Sequence, residues 1–282
     1  MQQKTVLIAG CGDVGSAFGS LLATEGHKVI GLRRNINQLP QGIQGISADL
    51  LQTSALKEQL STLTGCDVLV YAVAANGYDK ESYRQAYVQG LDSVLNALPV
   101  APKHIIFTSS TGVYHQNDHS FIDENSPCQP QSFSGQVMLE AENNVLGKEP
   151  PATIVRFSGI YGPGREFLIN KIKQGEVAPE IPLQYSNRIH RDDCAGVLHH
   201  LVTKLFRGEN LESCYLASDD CPASLFEVGH WLAEQLDVVP QSASLSRRTG
   251  SKRCNNQRLK DSGYQFIYPD YKTGYLSLIC QK

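Results

Sequence analysis

The stretch Val6-Leu7-Ile8-Ala9-Gly10-Cys11-Gly12-Asp13-Val14-Gly15 runs an apolar segment straight into the spacing G-x-G-x-x-G, and a helical pattern follows from Ser16 to Glu25. In a strand–turn–helix of this kind each glycine has its own reason. Gly10 permits the tight turn, Gly12 lets a pyrophosphate approach the backbone, and Gly15 lets the helix pack closely on the strand. Phosphates then meet free N–H groups at a helix N-terminus, where the helix dipole favours anions. A chain with 24 glycines also makes plain glycine turns, but the strand before and the helix after favour a cofactor loop. Gly10, Cys11, Gly12, Asp13, Val14 and Gly15 are therefore expected to line a dinucleotide.

Outward from this loop, apolar β-branched runs alternate with helical patterns. Strands are predicted at Thr5–Ala9, Lys28–Leu32, Val68–Val73, His104–Thr108 and Thr153–Phe157, with helices near Gly15–Glu25, Leu56–Thr62, Lys80–Ala97 and Gly135–Leu146. Apolar strands separated by helices imply an α/β fold, a doubly wound parallel sheet of Rossmann type covered on both faces. Past Gly162-Pro163-Gly164 the rhythm loosens. A helix is expected at Phe167–Gln174, a proline-rich loop through Pro179 and Pro182, a helix at Asp192–Leu205, a strand at Cys214–Ala217, a helix at Leu225–Leu236, and a polar stretch before Tyr264–Tyr268. The expected division is a dinucleotide-binding domain over 1–162 and a smaller C-terminal substrate lobe over 163–282, with the helix 192–205 able to pack back on the first domain.

The second strand ends in Arg33-Arg34, whereas a site that prefers NAD carries Asp or Glu there to hold the ribose hydroxyls and repel a 2′-phosphate. Two guanidinium groups at that corner favour NADP, with NAD the alternative. Asp49 and Leu50 are expected beside the adenine, and the small residues Ala72, Val73 and Ala74 leave room for the adenosine ribose and phosphates.

A net charge of −3 and a pI near 6.2 provide no electrostatic footprint for nucleic acid or a membrane surface. No apolar run is long enough to span a bilayer, and Met1-Gln2-Gln3-Lys4 leads directly into a strand. The reading is a soluble cytoplasmic protein, with a homodimer as the candidate assembly. The eight cysteines are scattered, without C-x-x-C or histidines at ligand spacing, so neither disulfides nor a metal is expected. Cys11 is the one to watch, because a helix N-terminus stabilises a thiolate.

Three further motifs, Phe107-Thr108-Ser109-Ser110-Thr111-Gly112-Val113-Tyr114, Arg156-Phe157-Ser158-Gly159-Ile160-Tyr161-Gly162-Pro163-Gly164-Arg165 and Ile189-His190-Arg191-Asp192-Asp193, make the chain resemble the extended short-chain dehydrogenase/reductase family of the NAD-dependent epimerase/dehydratase type. The resemblance runs from about Lys4 to about Leu259. It implies a nicotinamide cofactor in the N-terminal lobe and a small-molecule substrate, usually a nucleotide sugar, in the other. Carried onto this chain, it adds Thr108, Ser109, Phe157 and Gly159 to the cofactor site. It makes Ser110 and Tyr114 the catalytic candidates and Ser110, Thr111, Tyr114, Arg165 and His190 the substrate side. The family more often has G-x-x-G-x-x-G, so the loop here points to its atypical branch.

The chain departs from the family at the chemistry. The family moves a proton with a Tyr activated by a Lys four residues later. Here those positions read Ser134-Gly135-Gln136-Val137-Met138, and the neighbouring register offers Phe133 and Val137. The Asn of the supporting water relay is Tyr87. The pair Tyr268 and Lys272 has the spacing, but Pro269 argues against the helix it needs. Tyr78, Tyr83, Tyr87 and Tyr114 are the candidate substitutes by position, each read first as a packed aromatic. Asp192 and Asp193 read as helix caps, and His199-His200 as ordinary helix residues. Two functions follow: an NADP-dependent oxidoreductase or epimerase on a nucleotide-sugar-like or small carbonyl substrate with a displaced acid/base, or a non-catalytic NADP-binding sensor or interaction protein.

Overall fold

The computed structural model describes residues 2–243 and 250–280. By contacts the chain divides into two compact units. The first comprises Met1–Val113, Cys128–Arg156 and Ala195–Tyr215; the second comprises Tyr114–Pro127, Phe157–Cys194 and Leu216–Lys282.

The first unit is organised by a seven-stranded sheet. Its first strands are β1 (Thr5–Ala9), β2 (Lys28–Arg33), β3 (Ile43–Ser47), β4 (Val68–Tyr71) and β5 (His104–Ser110), followed by strands at Ala152–Phe157 and Cys214–Ala217. The spatial order is Cys214–Ala217, Ala152–Phe157, β5, β4, β1, β2, β3. The pairings of β1 with β2 and β4, of β2 with β3 and of β4 with β5 are parallel. Val6, Leu7, Ile8 and Ala9 are fully buried, which explains why β1 is apolar on both faces: helices cover each side of a parallel sheet. The expected doubly wound fold is the observed one. The chain winds from β1 out to β3, then returns to β4 on the other side of β1, so the order reverses beside β1, where open α/β sheets bind ligands.

The helices that matter here are α1 (Asp13–Thr24), α2 (Thr53–Leu60), α3 (Lys80–Arg84), α4 (Gly90–Ala97) and α5 (Phe133–Leu146). The expected helix Lys80–Ala97 is continuous but contains a π-helical turn, Gln85–Gln89, between α3 and α4. α1 buries Phe18 and Leu22. α5 starts at Ser132, whose hydroxyl accepts the Gly135 N–H at 3.1 Å. β3 escaped the sequence reading because it lies at the sheet edge, with only Ile43 buried, so it lacks a continuous apolar run.

The second unit contains α6 (Phe167–Lys173), the first turn of α7 (Arg191–Phe206), α8 (Leu225–Gln235), α9 (Gln257–Asp261) and α10 (Tyr271–Ile279). Ile169, Ile172, Val228, Leu232, Tyr161, Tyr275 and Leu278 form its core. Gly159–Tyr161 pairs in parallel with Arg188–His190. A Cβ at Gly274 would collide with the Tyr161 hydroxyl, so α10 can lie over Tyr161 only with glycine there. The sequence pattern predicts no helix at α10, although Asp270 caps it by accepting the Thr273 N–H at 2.8 Å. Among the described residues no helix is long and apolar enough to cross a membrane, and no group of His, Cys, Asp and Glu could hold a metal ion.

Candidate functional site

The glycine loop has the geometry its spacing implies. Gly10 has φ +84°, and a Cβ on it would come within 2.6 Å of the Ala72 carbonyl group. A Cβ on Gly15 would meet the Gly10 oxygen at 2.7 Å and Ile8 at 3.1 Å, so the third glycine is needed for helix–strand packing. Gly12 differs, because a Cβ there meets nothing nearer than the Gly10 oxygen at 4.0 Å. The protein's own packing leaves that face open. Gly12 is also the N-cap of α1 and offers no side-chain cap to the first turn. An open backbone face beside a helix N-terminus without a side-chain cap fits a pyrophosphate.

Cys11 in the same loop faces inward. It is fully buried, and its Sγ packs where a Cβ on Gly31 would come within 2.8 Å. Burial pushes its thiol pKa up, against smaller opposing effects from Ser16 and Arg33. The helix N-terminus therefore does not make it a thiolate, and only its backbone is left to face a ligand.

Arg33 and Arg34 flank this loop at the end of β2. Arg33 donates from Nη1 to the Cys11 carbonyl at 3.4 Å and from Nη2 to Gln38 at 2.6 Å. Arg34 donates to the Asn76 side chain at 2.8 Å. Asp49 accepts the Leu51 N–H at 3.0 Å and shapes the turn after β3, and Leu50 is half-buried. After β4, the Ala72 N–H donates to the Ala9 carbonyl at 2.8 Å. Ala72 and Val73 are half-buried and Ala74 is exposed. The first unit thus gathers Gly10–Gly15, Arg33, Arg34 and Ala72–Ala74 at the carboxyl ends of β1, β2 and β4.

At the end of β5, the Thr108 hydroxyl donates to the Tyr71 carbonyl at 3.1 Å. Ser109 is turned inward. Its hydroxyl donates to Glu142 at 2.5 Å, and Glu142 takes Arg156 Nε at 3.0 and 3.2 Å and Nη2 at 2.7 Å. These three buried residues join β5, α5 and the strand Ala152–Phe157. The knot was missed at the sequence level, although an arginine inside an apolar strand signals a buried partner. Ser110 points the other way along the alternating strand, and its Oγ accepts the Gly112 N–H at 3.1 Å. Thr111 is half-buried beside it.

The first turn of α5 packs on this same segment, since a Cβ on Gly135 would collide with the Gly112 carbonyl. Ser134 there shares a 3.1 Å hydrogen bond with Ser132 Oγ, and Met138 is buried. Neither moves a proton at neutral pH. In the nearby aromatic set, Tyr83 lies 5.4 Å from Phe133 and 5.3 Å from Tyr87 between ring centroids. The Tyr87 hydroxyl accepts the Ala75 N–H at 3.4 Å.

In the second unit, Tyr114 is buried and its carbonyl accepts Lys252 Nζ at 3.0 Å. Phe157 is buried, and the Gly159 N–H donates to the Asn187 carbonyl at 3.1 Å. Arg165 is exposed, with its N–H on the Gly162 carbonyl at 2.9 Å. His190 is buried, packs on Tyr268 with the rings tilted by 49° at 4.0 Å between centroids, and accepts the Asp192 N–H on Nδ1 at 3.2 Å. Burial lowers its pKa, partly offset by Asp192, so it is a neutral ring at physiological pH. Asp193 was expected to cap a helix. It instead accepts the Tyr264 hydroxyl and the Ile267 and Tyr268 N–H groups at 2.8, 2.7 and 3.0 Å, clamping the segment before α10.

Comparison with known proteins agrees with this geometry. The model of the NAD dependent epimerase/dehydratase family matches residues 6–213. An Escherichia coli O157:H7 protein, N-acetyl-alpha-D-glucosaminyl-diphospho-ditrans,octacis-undecaprenol 4-epimerase, is 31% identical over 154 residues, 50% of this chain and 46% of that protein. The chain spans about half the length of this curated relative. A Methylobacillus flagellatus protein described as an NAD-dependent epimerase/dehydratase superposes with TM-score 0.83 at 36% identity over 99% of both chains. The human epimerase family protein SDR39U1, solved with NADPH, superposes with TM-score 0.78 at 18% identity over 99% of both chains, a likeness of fold. With its glycine loop, switch point and motif order in place, the chain belongs to the NAD-dependent epimerase/dehydratase family, and its cofactor is a nicotinamide dinucleotide.

Proposed function

We propose that the protein is an NADP-dependent oxidoreductase or epimerase whose substrate is a nucleotide-sugar-like or small carbonyl compound. The observation that carries the cofactor choice is the pair Arg33 and Arg34 at the end of β2, one laid over the Cys11 carbonyl and the other on Asn76. No carboxylate follows β2 to repel a 2′-phosphate, and guanidinium groups bind phosphate with charge-assisted hydrogen bonds. Gly10–Gly15, Asp49, Leu50, Ala72–Ala74 and Thr108 would hold the dinucleotide; Phe157 and Gly159 are assigned to the cofactor by the family's motif. When bound, that cofactor supplies or accepts a hydride. Ser110 and Thr111 would orient a substrate oxygen, with Tyr114, Arg165 and His190 on the substrate side. A cytoplasmic location is part of this reading. A homodimer is the proposed assembly, tested by light scattering.

The test is titration of NADPH and NADH with Arg33→Ala/Arg34→Ala. Loss of two contacts to a charged group at about 1–2 kcal/mol each weakens NADPH by roughly 2–4 kcal/mol and leaves NADH nearly untouched. Equal losses for both cofactors, or tighter NADH binding by the unchanged protein, refute the choice.

A second reading, a non-catalytic NADP-binding sensor or interaction protein, is favoured by one observation: α5 offers only Ser134 and buried Met138 where the family has its proton carriers. Ser110→Ala separates the two readings. In an enzyme, turnover falls by on the order of 10²-fold, as for loss of one polar contact to the reacting group, with NADPH affinity kept. In a sensor, NADPH absorbance stays flat across a carbonyl panel for both proteins.

A further inference from the structure

Tyr87 sits on the π-helical turn Gln85–Gln89, and turns of this type often mark functional positions. Its hydroxyl is at Ala75, in the loop that leaves β4 at the sheet's switch point. The acceptor side of that hydroxyl is taken by the Ala75 N–H at 3.4 Å. Among the described residues none accepts its proton, so the phenol has a donor to give.

The placement is also fixed. The Tyr87 ring packs on Tyr83, Tyr83 packs on Phe133 of α5, and Arg84 pairs with Glu140 of α5 at 2.5 Å. Burial raises the phenol pKa, with the Ala75 N–H opposing, so the group stays protonated.

The direction of a dinucleotide across this edge follows from the loop chemistry. Arg33 and Arg34 mark the adenosine end at β2, and the N-terminus of α1 marks the phosphates. The other half must then run toward β4 and β5, past Ala72–Ala75. That path brings it beside Tyr87, where no lysine or tyrosine of α5 competes for it.

We propose that the Tyr87 hydroxyl donates a hydrogen bond to the bound dinucleotide on the nicotinamide side of the adenosine phosphate, making Tyr87 a cofactor-binding residue. The proposal rests on the cofactor reading above.

The experiment compares two ligands by calorimetry. NADPH carries the nicotinamide half; 2′,5′-ADP keeps the adenosine and the 2′-phosphate and lacks it. Tyr87→Phe retains the ring and removes the donor. Expected is a loss of about tenfold in NADPH affinity, the size of one hydrogen bond, with 2′,5′-ADP affinity and the ligand-free melting temperature unchanged. Tyr83→Phe, which removes the hydroxyl of the neighbouring ring and leaves the Tyr87–Ala75 contact in place, leaves both affinities as they were. Unchanged NADPH affinity in Tyr87→Phe overturns the proposal. So does an equal loss for both ligands, which would mean that the hydroxyl only holds the Ala75 loop in shape. A wild-type protein that binds NADH and not NADPH overturns the NADP reading alone, and the Tyr87 comparison is then made with NADH against AMP. Wild-type protein that binds none of these ligands overturns the cofactor reading and this proposal with it.

Discussion

Removing the Glu142 carboxylate should destabilise the first unit by more than any single hydrogen bond is worth. Glu142 and Arg156 are 1% and 8% exposed, and three Arg156 contacts plus the Ser109 hydroxyl converge on one carboxylate. Glu142→Ala strips a buried guanidinium of its counter-charge, a change that costs about 3–5 kcal/mol. At about 2–4 °C per kcal/mol for a chain of this size, the melting temperature falls by on the order of 10 °C. Ser109→Ala removes one contact to a charged group and costs less, about 1.5–3 kcal/mol. The double variant Glu142→Leu/Arg156→Met replaces both charges with apolar groups of similar size and should recover more than half of the loss, because the cost lies in the stranded charge. Thermal and urea unfolding followed by circular dichroism measure all three variants. A Glu142→Ala cost below about 1 kcal/mol, or a double variant as unstable as Glu142→Ala, would refute the reasoning. Because Ser110 follows Ser109 directly, the knot also sets where β5 presents its polar end.

Gly12→Ala should leave the ligand-free melting temperature nearly unchanged and abolish NADPH binding, since its Cβ position is open in the protein alone. Gly10→Ala should lower that temperature strongly, because its Cβ would lie 2.6 Å from the Ala72 carbonyl at φ +84°; identical behaviour of the two variants would count against the pyrophosphate assignment. Asp219, fully buried, has its pKa pushed up to about 7, by burial first and against the pull of Arg188. The folded protein holds that proton up to about pH 7, whereas the unfolded chain releases it near pH 4. Its contribution to stability is therefore complete below pH 4 and lost as pH rises to 7. Asp219→Asn should show a smaller fall in melting temperature between pH 5 and pH 8 than the wild type, and parallel curves would sink this account.

What the sequence determined by itself is local and periodic. β1 is found at Thr5–Ala9 as predicted, because four consecutive apolar residues must be covered on both faces. The glycine loop was legible because φ +84° and close backbone approach admit only glycine. The Arg33-Arg34 ending of β2 was legible because a strand's last residues face the ligand edge. The loss of the proton pair at Ser134 and Met138 was equally visible, as a gap in a spacing. Edge strand β3 and helix α10 were not, the first because half-exposed strands lose their apolar run, the second because its signal is one cap, Asp270.

The tertiary structure decided the matters that depend on distant segments meeting. Nothing in the spacing of Ser109, Glu142 and Arg156 says that they share one carboxylate, that Asp193 holds Tyr264–Tyr268 rather than its own helix, or that Asp219 is buried beside Arg188. Cys11 shows the same division within one residue: its position at a helix N-terminus is set by the sequence, but the neighbour that buries its thiol, Gly31, comes from the adjacent strand. Tyr87 meets Ala75 because a π-helical turn and the packing of α3 on α5 aim it there. Local pattern fixes which backbone a chain can adopt; which side chain ends opposite which is settled only when the elements pack, because burial and hydrogen bonding act between residues far apart in the chain.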